Sequence, residues 1–349
     1  MRVEAFSPQG SWLSAQKAAV FAEEAGFDSF ASPEIAHDPF FPLAMAAMST
    51  QRIGLRTAIA VAFPRSPMVV ANIAWDLQRE SKGRFTLGLG TQVKPHNERR
   101  FSVKWEKPKE RLREYILSLR AIWRAWEKKE KLKFEGEHYQ FTLMTPEFSP
   151  EPMGLPPVPV YAAAVRPAML ELTGEVCDGV RLHGFATRKY LEEVALPAIT
   201  KGLSSRHKSR DSFEICGGGF IVTGPDEETV KQMFELIRYR DAFYGSTPSY
   251  LPVLEAHGWQ ELGAELNRLS RKGEWQKMAE AVPDDVVHTF SAVAPYSGLK
   301  QAIETRFGGI SDCVELGFPD NTQAGLVREL LTDIQSIKTP CPGAKTTWE

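Results

Sequence analysis

The stretch 53–90, IGLRTAIAVAFPRSPMVVANIAWDLQRESKGRFTLGLG, holds one complete strand–helix–strand unit. Its first run (53–63) and its last (84–90) are nearly continuous apolar segments, the pattern of strands covered on both faces in a parallel sheet. Between them, Pro67 suits a helix start, because the first helical amide needs no partner, and the pattern predicts a helix over 67–81. The same rhythm extends outward. Upstream lie a strand at 2–6, a helix over 14–25 stopped by Gly26, and a strand at 28–32. Downstream come a helix over 108–128, a strand at 159–164, a helix to about 175, and strands at 179–183, 213–222 and 312–318, the last followed by a helix to about 337. Eight strands alternating with helices across 349 residues predict a (β/α)8 TIM barrel over 1–338. An open doubly wound sheet shows the same alternation, and the count of eight decides between them. More chain than short loops need occurs at about 129–156 and 243–295, which read as insertions. At the carboxyl rim of a barrel such segments shape the site, though extra helices packed on the barrel explain the second equally well. The tail 339–349, with its Pro and Gly, is expected to be flexible.

Lys and Arg total 42 against 44 Asp and Glu, a net charge of −2 that gives no electrostatic drive toward nucleic acid or an anionic membrane. No 18 apolar residues run uninterrupted, and the N-terminus reads as a strand rather than a secretory signal. Cys177, Cys216, Cys313 and Cys341 are far apart and form no C-x-x-C pair, so the sequence offers no zinc ligand set and no metal is expected. Reduced thiols and a cytoplasmic location follow as expectations.

In a parallel barrel the chemistry lies after the carboxyl ends of the strands. After 28–32, the segment SPEIAHDPFFPL brings Ser32, Glu34, His37 and Asp38 together. Asp38 suits a cap for the helix opening at Pro39, whereas Glu34 and His37 are the candidate proton donor and acceptor. After 84–90, GLGTQVKPHNERRF offers backbone amides at Thr91 and Gln92 and the side chains of His96, Arg99 and Arg100. After 159–164, AAAVRP leads into a helix N-terminus beside Arg166, an arrangement that suits a phosphate. The G-x-G-x-x-G, P-loop, H-E-x-x-H and G-x-S-x-G patterns are absent, which removes support for common nucleotide, metallohydrolase and serine-nucleophile chemistries. Trp75, Trp105, Trp123 and Trp126 read as packing residues.

These residues resemble the bacterial luciferase-like superfamily of flavin- and deazaflavin-dependent oxidoreductases. The likeness rests most specifically on 53–93 and on PPVPVYAAAVRPAMLELTGEVCDGVRLHGF (156–185). SPEIAHDPFFPLAMAAMST, HNERRFSVKW and FTLMTPEF resemble the subgroup that uses coenzyme F420. The resemblance implies a bulge in the third strand with a non-prolyl cis peptide near Ala58 and Ile59. It further implies cofactor contacts at Thr91, Gln92, His96, Ala163, Ala164, Val165, Arg166 and His183. The implied activity is hydride transfer between F420 and a small organic substrate, with Glu34 or His37 handling a proton. Pro33 and Glu34 stand where sugar-phosphate dehydrogenases of the superfamily carry an Asp-His pair, and Val93 where they carry a glutamate, so sugar-phosphate oxidation is not implied. The alternatives are an FMN-dependent monooxygenase supplied with reduced flavin by a partner reductase, and a flavin-binding protein without turnover. A homodimer formed through AMAAMS and VVANIAW is also implied.

Overall fold

The computed structural model describes residues 1–319, 322–343 and 346–348. Thirteen strands occur in chain order among them. They are β1 (Arg2–Phe6), β2 (Ser29–Ser32), β3 (Gly54–Thr57), β4 (Ala60–Val61), β5 (Phe85–Gly90), β6 (Phe134–Glu135) and β7 (Gln140–Phe141), followed by β8 (Val160–Ala164), β9 (Gly179–Leu182), β10 (Glu214–Gly217), β11 (Phe220–Val222), β12 (Ser291–Val293) and β13 (Cys313–Glu315). The main sheet runs β3-β2-β1-β13-β10-β9-β8-β5-β4, and a further β3–β5 pairing closes it. With β3 and β4 as two pieces of one strand, this is the eight-stranded parallel barrel that the alternation predicts. By its internal packing the chain divides into one unit of Met1–Val3, Ala164–Glu171 and Arg181–Pro342, and another of Glu4–Ala163, Leu172–Val180 and Gly343–Glu349.

The sequence boundaries hold closely where a helix carries its own start and stop. The helix Trp12–Ala25 ends at Gly26, whose φ of 98° places it in the left-handed region while its amide reaches the Ala22 and Glu23 carbonyls. Helix Pro67–Glu80 starts as expected, with Ser66 accepting the Met68 amide. Helix Pro108–Lys128 matches its predicted span and buries Trp123 and Trp126, while Trp75 is buried from helix Pro67–Glu80. Each fully buried aromatic of this kind contributes about 2–3 kcal/mol.

Two expectations need correction. The run 53–63 is not one strand, because β3 and β4 are separated by a cis peptide between Ala58 and Ile59, at the position the family resemblance implies. The run 213–222 also breaks: Gly217 and Gly218 have φ of 76° and 98°, which turn the chain out of the barrel, and β11 pairs with β12 in a separate two-stranded sheet. In the tail, the Cys341 amide bonds to Asp312, Thr346 to the Pro157 carbonyl, and the Trp348 indole to the Leu155 carbonyl. Ala344, Lys345 and Glu349 lie outside the described residues.

The segment 129–156 contains the short hairpin β6–β7. The segment 243–295 takes in the end of helix Glu227–Gly245, four shorter helices and β12. It forms its own apolar cluster, with Phe185, Tyr190, Leu254, Leu266, Met278 and Phe290 buried together. Cys216 and Cys313 prove to be register partners on β10 and β13, and with Glu214 they bring ligand-type atoms within 4.8 Å of one another, a grouping that wide sequence separation conceals. Arg2 pairs with Glu214 at 2.9 Å, so the carboxylate already has a cation beside it.

Candidate active site

In the unit containing β2 to β5, the loop after β2 is fastened to the bend between β3 and β4. The Ala58 amide donates to the Ser32 carbonyl at 2.8 Å, and the Glu34 amide to the Ile59 carbonyl at 3.2 Å. The Glu34 carboxylate accepts the Val61 amide at 2.7 Å and pairs with Arg65 at 2.8 Å, while the other arm of Arg65 meets Asp38 at 2.9 Å. Burial opposes the charge on Arg65, but Glu34 and Asp38 outweigh it and hold the guanidinium above its ordinary range. Asp38 also accepts the Phe40 amide at 2.8 Å, which is the helix-start role the sequence predicts for it. Glu34 is therefore engaged on both sides. His37 is exposed and lines a cleft of about 190 Å³ together with Gln9, Trp12, Asp38 and Phe41.

Ile59 lies across the end of β5. A Cβ on Gly90 would come within 2.6 Å of the Ile59 side chain and 3.6 Å of the Ala163 side chain, so only glycine leaves this floor undisturbed. Beyond it, Gln92 adopts φ of 58° and turns the chain. Buried Asn97, which the sequence reading did not single out, holds that turn by donating to the Thr91 carbonyl at 2.8 Å and the Val93 carbonyl at 3.2 Å. The signal available was an Asn one short turn past the GLG glycines, close enough to fold back on the loop. Among the described residues the Thr91 and Gln92 amides meet no backbone acceptor. His96 is exposed at the start of the following turn, and Arg100 donates to the Ile35 carbonyl at 2.7 Å.

In the unit containing Ala164–Glu171 and Arg181–Pro342, the loop after β8 is fixed from two directions. The Tyr190 hydroxyl donates to the Val165 carbonyl at 2.7 Å, and Arg166 donates to the Pro248 carbonyl at 3.3 Å. Burial pushes Tyr190 up to about 12, so it remains a donor at ordinary pH. The Val165 and Arg166 amides meet no backbone acceptor among the described residues and precede helix Pro167–Val176, which leaves an electropositive end beside the Arg166 side chain. After β9, the His183 Nδ1 accepts the Phe185 amide at 2.9 Å. Tyr244 meets the His183 ring edge-on at 4.3 Å, and Tyr250 lies against it at 4.8 Å. Burial drives His183 down to about 4.

Each unit thus presents, after the carboxyl ends of its strands, amides and side-chain donors with acceptors left to find. Such a donor set suits a ligand rich in carbonyl and phosphate oxygens. Gly90 leaves room for the Ile59 side chain across the end of β5, and Ala163 beside it adds no bulk.

Comparison with known proteins agrees in direction. The family model described as luciferase-like monooxygenase matches residues 2–309. An uncharacterized protein of Mycobacterium tuberculosis is 47% identical over 300 residues, covering 86% of this chain and 88% of its own. A 5,10-methylenetetrahydromethanopterin reductase of Archaeoglobus fulgidus is 28% identical, covering 82% of this chain and 83% of its own. Among solved structures, the coenzyme F420-dependent tetrahydromethanopterin reductase of Methanopyrus kandleri superposes with a TM-score of 0.76 at 19% identity, over 95% of this chain and 97% of that one.

Proposed function

Because the chain belongs to the luciferase-like monooxygenase family, we propose that it is an F420-dependent oxidoreductase that passes a hydride between the deazaflavin and a small organic substrate. The observation that carries this reading is that the amides of Thr91 and Gln92 after β5, and those of Val165 and Arg166 after β8, have no backbone acceptor among the described residues, as donors kept for an oxygen-rich ligand would. The choice of F420 draws support from the reductases of Archaeoglobus fulgidus and Methanopyrus kandleri, the second named for that coenzyme. When bound, the deazaflavin supplies two-electron hydride chemistry.

The chain's own residues bind and orient. Arg166 and the helix start beside it attract phosphate, and Thr91, Gln92 and His96 provide contacts from the loop after β5. Ala58, Ile59, Ala163 and Ala164 give a floor without bulky or charged side chains, and His183 contributes a ring contact. Of the two candidate proton carriers, Glu34 already serves Arg65 and the Val61 amide, so His37 is assigned the proton at its imidazole and Glu34 the positioning of the 58–61 bend. His37→Ala is expected to leave F420 affinity within threefold while turnover falls at least a hundredfold, the usual range for a general acid or base.

Titrating the purified protein with F420 and with FMN tests the cofactor. F420 is expected to bind at least tenfold more tightly, and tighter FMN would turn the reading toward a monooxygenase fed by a reductase. Binding without turnover across a broad panel of alcohols and carbonyl compounds would leave only a flavin-binding protein.

Trp12, Leu13, Phe41, Met48 and Val69 are exposed apolar residues on helices Trp12–Ala25, Phe40–Ser49 and Pro67–Glu80, and they suit a homodimer contact. Light scattering on the eluting protein should give about twice the 39.0 kDa chain mass, and Met48→Lys with Val69→Lys should halve it. A wild-type monomer would remove the dimer. Four buried cysteines suit a reducing cytoplasm, and no described helix is long and apolar enough to cross a membrane.

A further inference from the structure

The geometry points to His183 as a permanently neutral hydrogen-bond donor, fixed in one tautomer by the Phe185 amide, that offers its Nε2 proton to a carbonyl oxygen or ring nitrogen of the bound heterocycle. The first step is tautomer assignment. Nδ1 accepts the Phe185 amide at 2.9 Å, so it carries no proton, and a neutral imidazole must then carry its one proton on Nε2. Nε2 has no protein partner among the described residues.

The second step concerns charge. The titratable side chains packed on the ring are Tyr244, from helix Glu227–Gly245, and Tyr250, from the turn Pro248–Tyr250. Burial pushes the Tyr250 phenol up, which keeps it uncharged at ordinary pH. Phe185 closes the cluster, lying 5.7 Å from Tyr250 and stacked on Phe290 at 4.3 Å. Burial alone, without help from a charged neighbour, disfavours the His183 cation. Protonating Nδ1 would also break the Phe185 bond, so geometry and desolvation both oppose the cation.

The consequence is functional. A neutral donor can hold a ring acceptor in both redox states without adding a charge, whereas a histidine titrating near 6.5 would make affinity depend on pH. The aromatic walls that secure this come from the 243–295 segment, which gives that segment a role beyond packing.

The ligand half of this inference rests on the proposed cofactor, and the test separates the two. Nitrogen–proton correlation spectra of the full-length protein, selectively labelled at its seven histidines, read the tautomer without ligand, with His183→Gln identifying the signal. A proton on Nε2 and shifts unchanged from pH 5 to 8 are expected. A proton on Nδ1, or a midpoint near 6.5, would overturn the inference. In F420 titrations His183→Gln, whose amide can donate from the Nε2 position, should stay within threefold of wild type, and His183→Leu should bind at least tenfold more weakly. Equal losses in the two variants, or loss in neither, would sink the donor role. If the wild type takes FMN instead, the same variants titrated with FMN judge His183 while the F420 reading fails alone. If it takes neither, the acceptor disappears and the inference falls, whatever the spectra give.

Discussion

Glu34→Ala is expected to lower the stability of the protein by about 3 kcal/mol and to weaken F420 binding at least tenfold, because it removes the centre of a buried clamp rather than a proton carrier. The Glu34 side chain is 6% exposed and that of Arg65 18%, so the pair is largely shielded from water. Without the carboxylate, the Val61 amide loses its acceptor, and Arg65 retains the Val61 carbonyl at 3.1 Å and Asp38, which is itself engaged with the Phe40 amide. The bend from Ala58 to Val61 would then lose the carboxylate that fastens its amide side, keeping the backbone bonds to Ser32 and Glu34, the pairing with β5 and the Arg65 bond to the Val61 carbonyl. Glu34→Gln should recover part of the loss, since its amide oxygen can still accept from Val61. A double-mutant cycle with Arg65→Ala should show coupling of about 1–3 kcal/mol. Urea midpoints and F420 titrations measure both effects. A Glu34→Ala protein with wild-type midpoint and affinity but no turnover would restore Glu34 as the proton carrier and remove it as an anchor.

That residue shows where a sequence stops being informative. Gly26, Ser66, Pro67 and Pro108 act within a few residues of themselves, so helix limits could be read locally, and the alternation of apolar runs was enough to count the barrel strands. The partner of Glu34 is Arg65, 31 positions away, and nothing in SPEIAHDPFFPL indicates that its carboxylate will be occupied. A carboxylate and an imidazole in one loop look alike on paper; the fold separates an engaged Glu34 from an exposed His37. The double glycine at 217–218 likewise passed for strand interior, because an apolar run on both sides hides two left-handed residues. Resemblance located the Ala58–Ile59 bend, which local pattern had absorbed into a single strand. His183 was legible as a residue after a strand, but its neutrality depends on Tyr244 and Tyr250, which arrive from more than sixty positions downstream.

Arg306→Met should cost about 2–6 kcal/mol, the loss expected when two buried carbonyls are left without their donor. Arg306 is buried, and its Nη2 donates to the Ala186 carbonyl at 2.5 Å and the Gly218 carbonyl at 2.9 Å, tying the loop after β9 to the glycine bend after β10. Methionine fills much of the same space but offers no donor, so both carbonyls lose a partner, at about 1–3 kcal/mol each. Asp241 is also buried, neither of its carboxylate oxygens has a partner among the described residues, and Arg306 is one of two cations that favour its charge. Burial lowers Arg306 to about 10 and raises Asp241 well above 3.8. The folded chain therefore keeps a proton on Asp241 that the unfolded chain releases above 3.8. Stability declines as pH rises from about 4 toward the folded value, by up to about 1.4 kcal/mol per pH unit for one proton. Removing Arg306 raises Asp241 further and extends that decline, while adding Asp241→Asn abolishes the extra slope. Urea midpoints measured from pH 5 to 8 for the two variants and the wild type provide the check. The Phe185 amide should also exchange faster in Arg306→Met, since its loop would be free at Ala186. A loss under about 1 kcal/mol with no change in pH slope would mean that Arg306 is not what holds the two loops together.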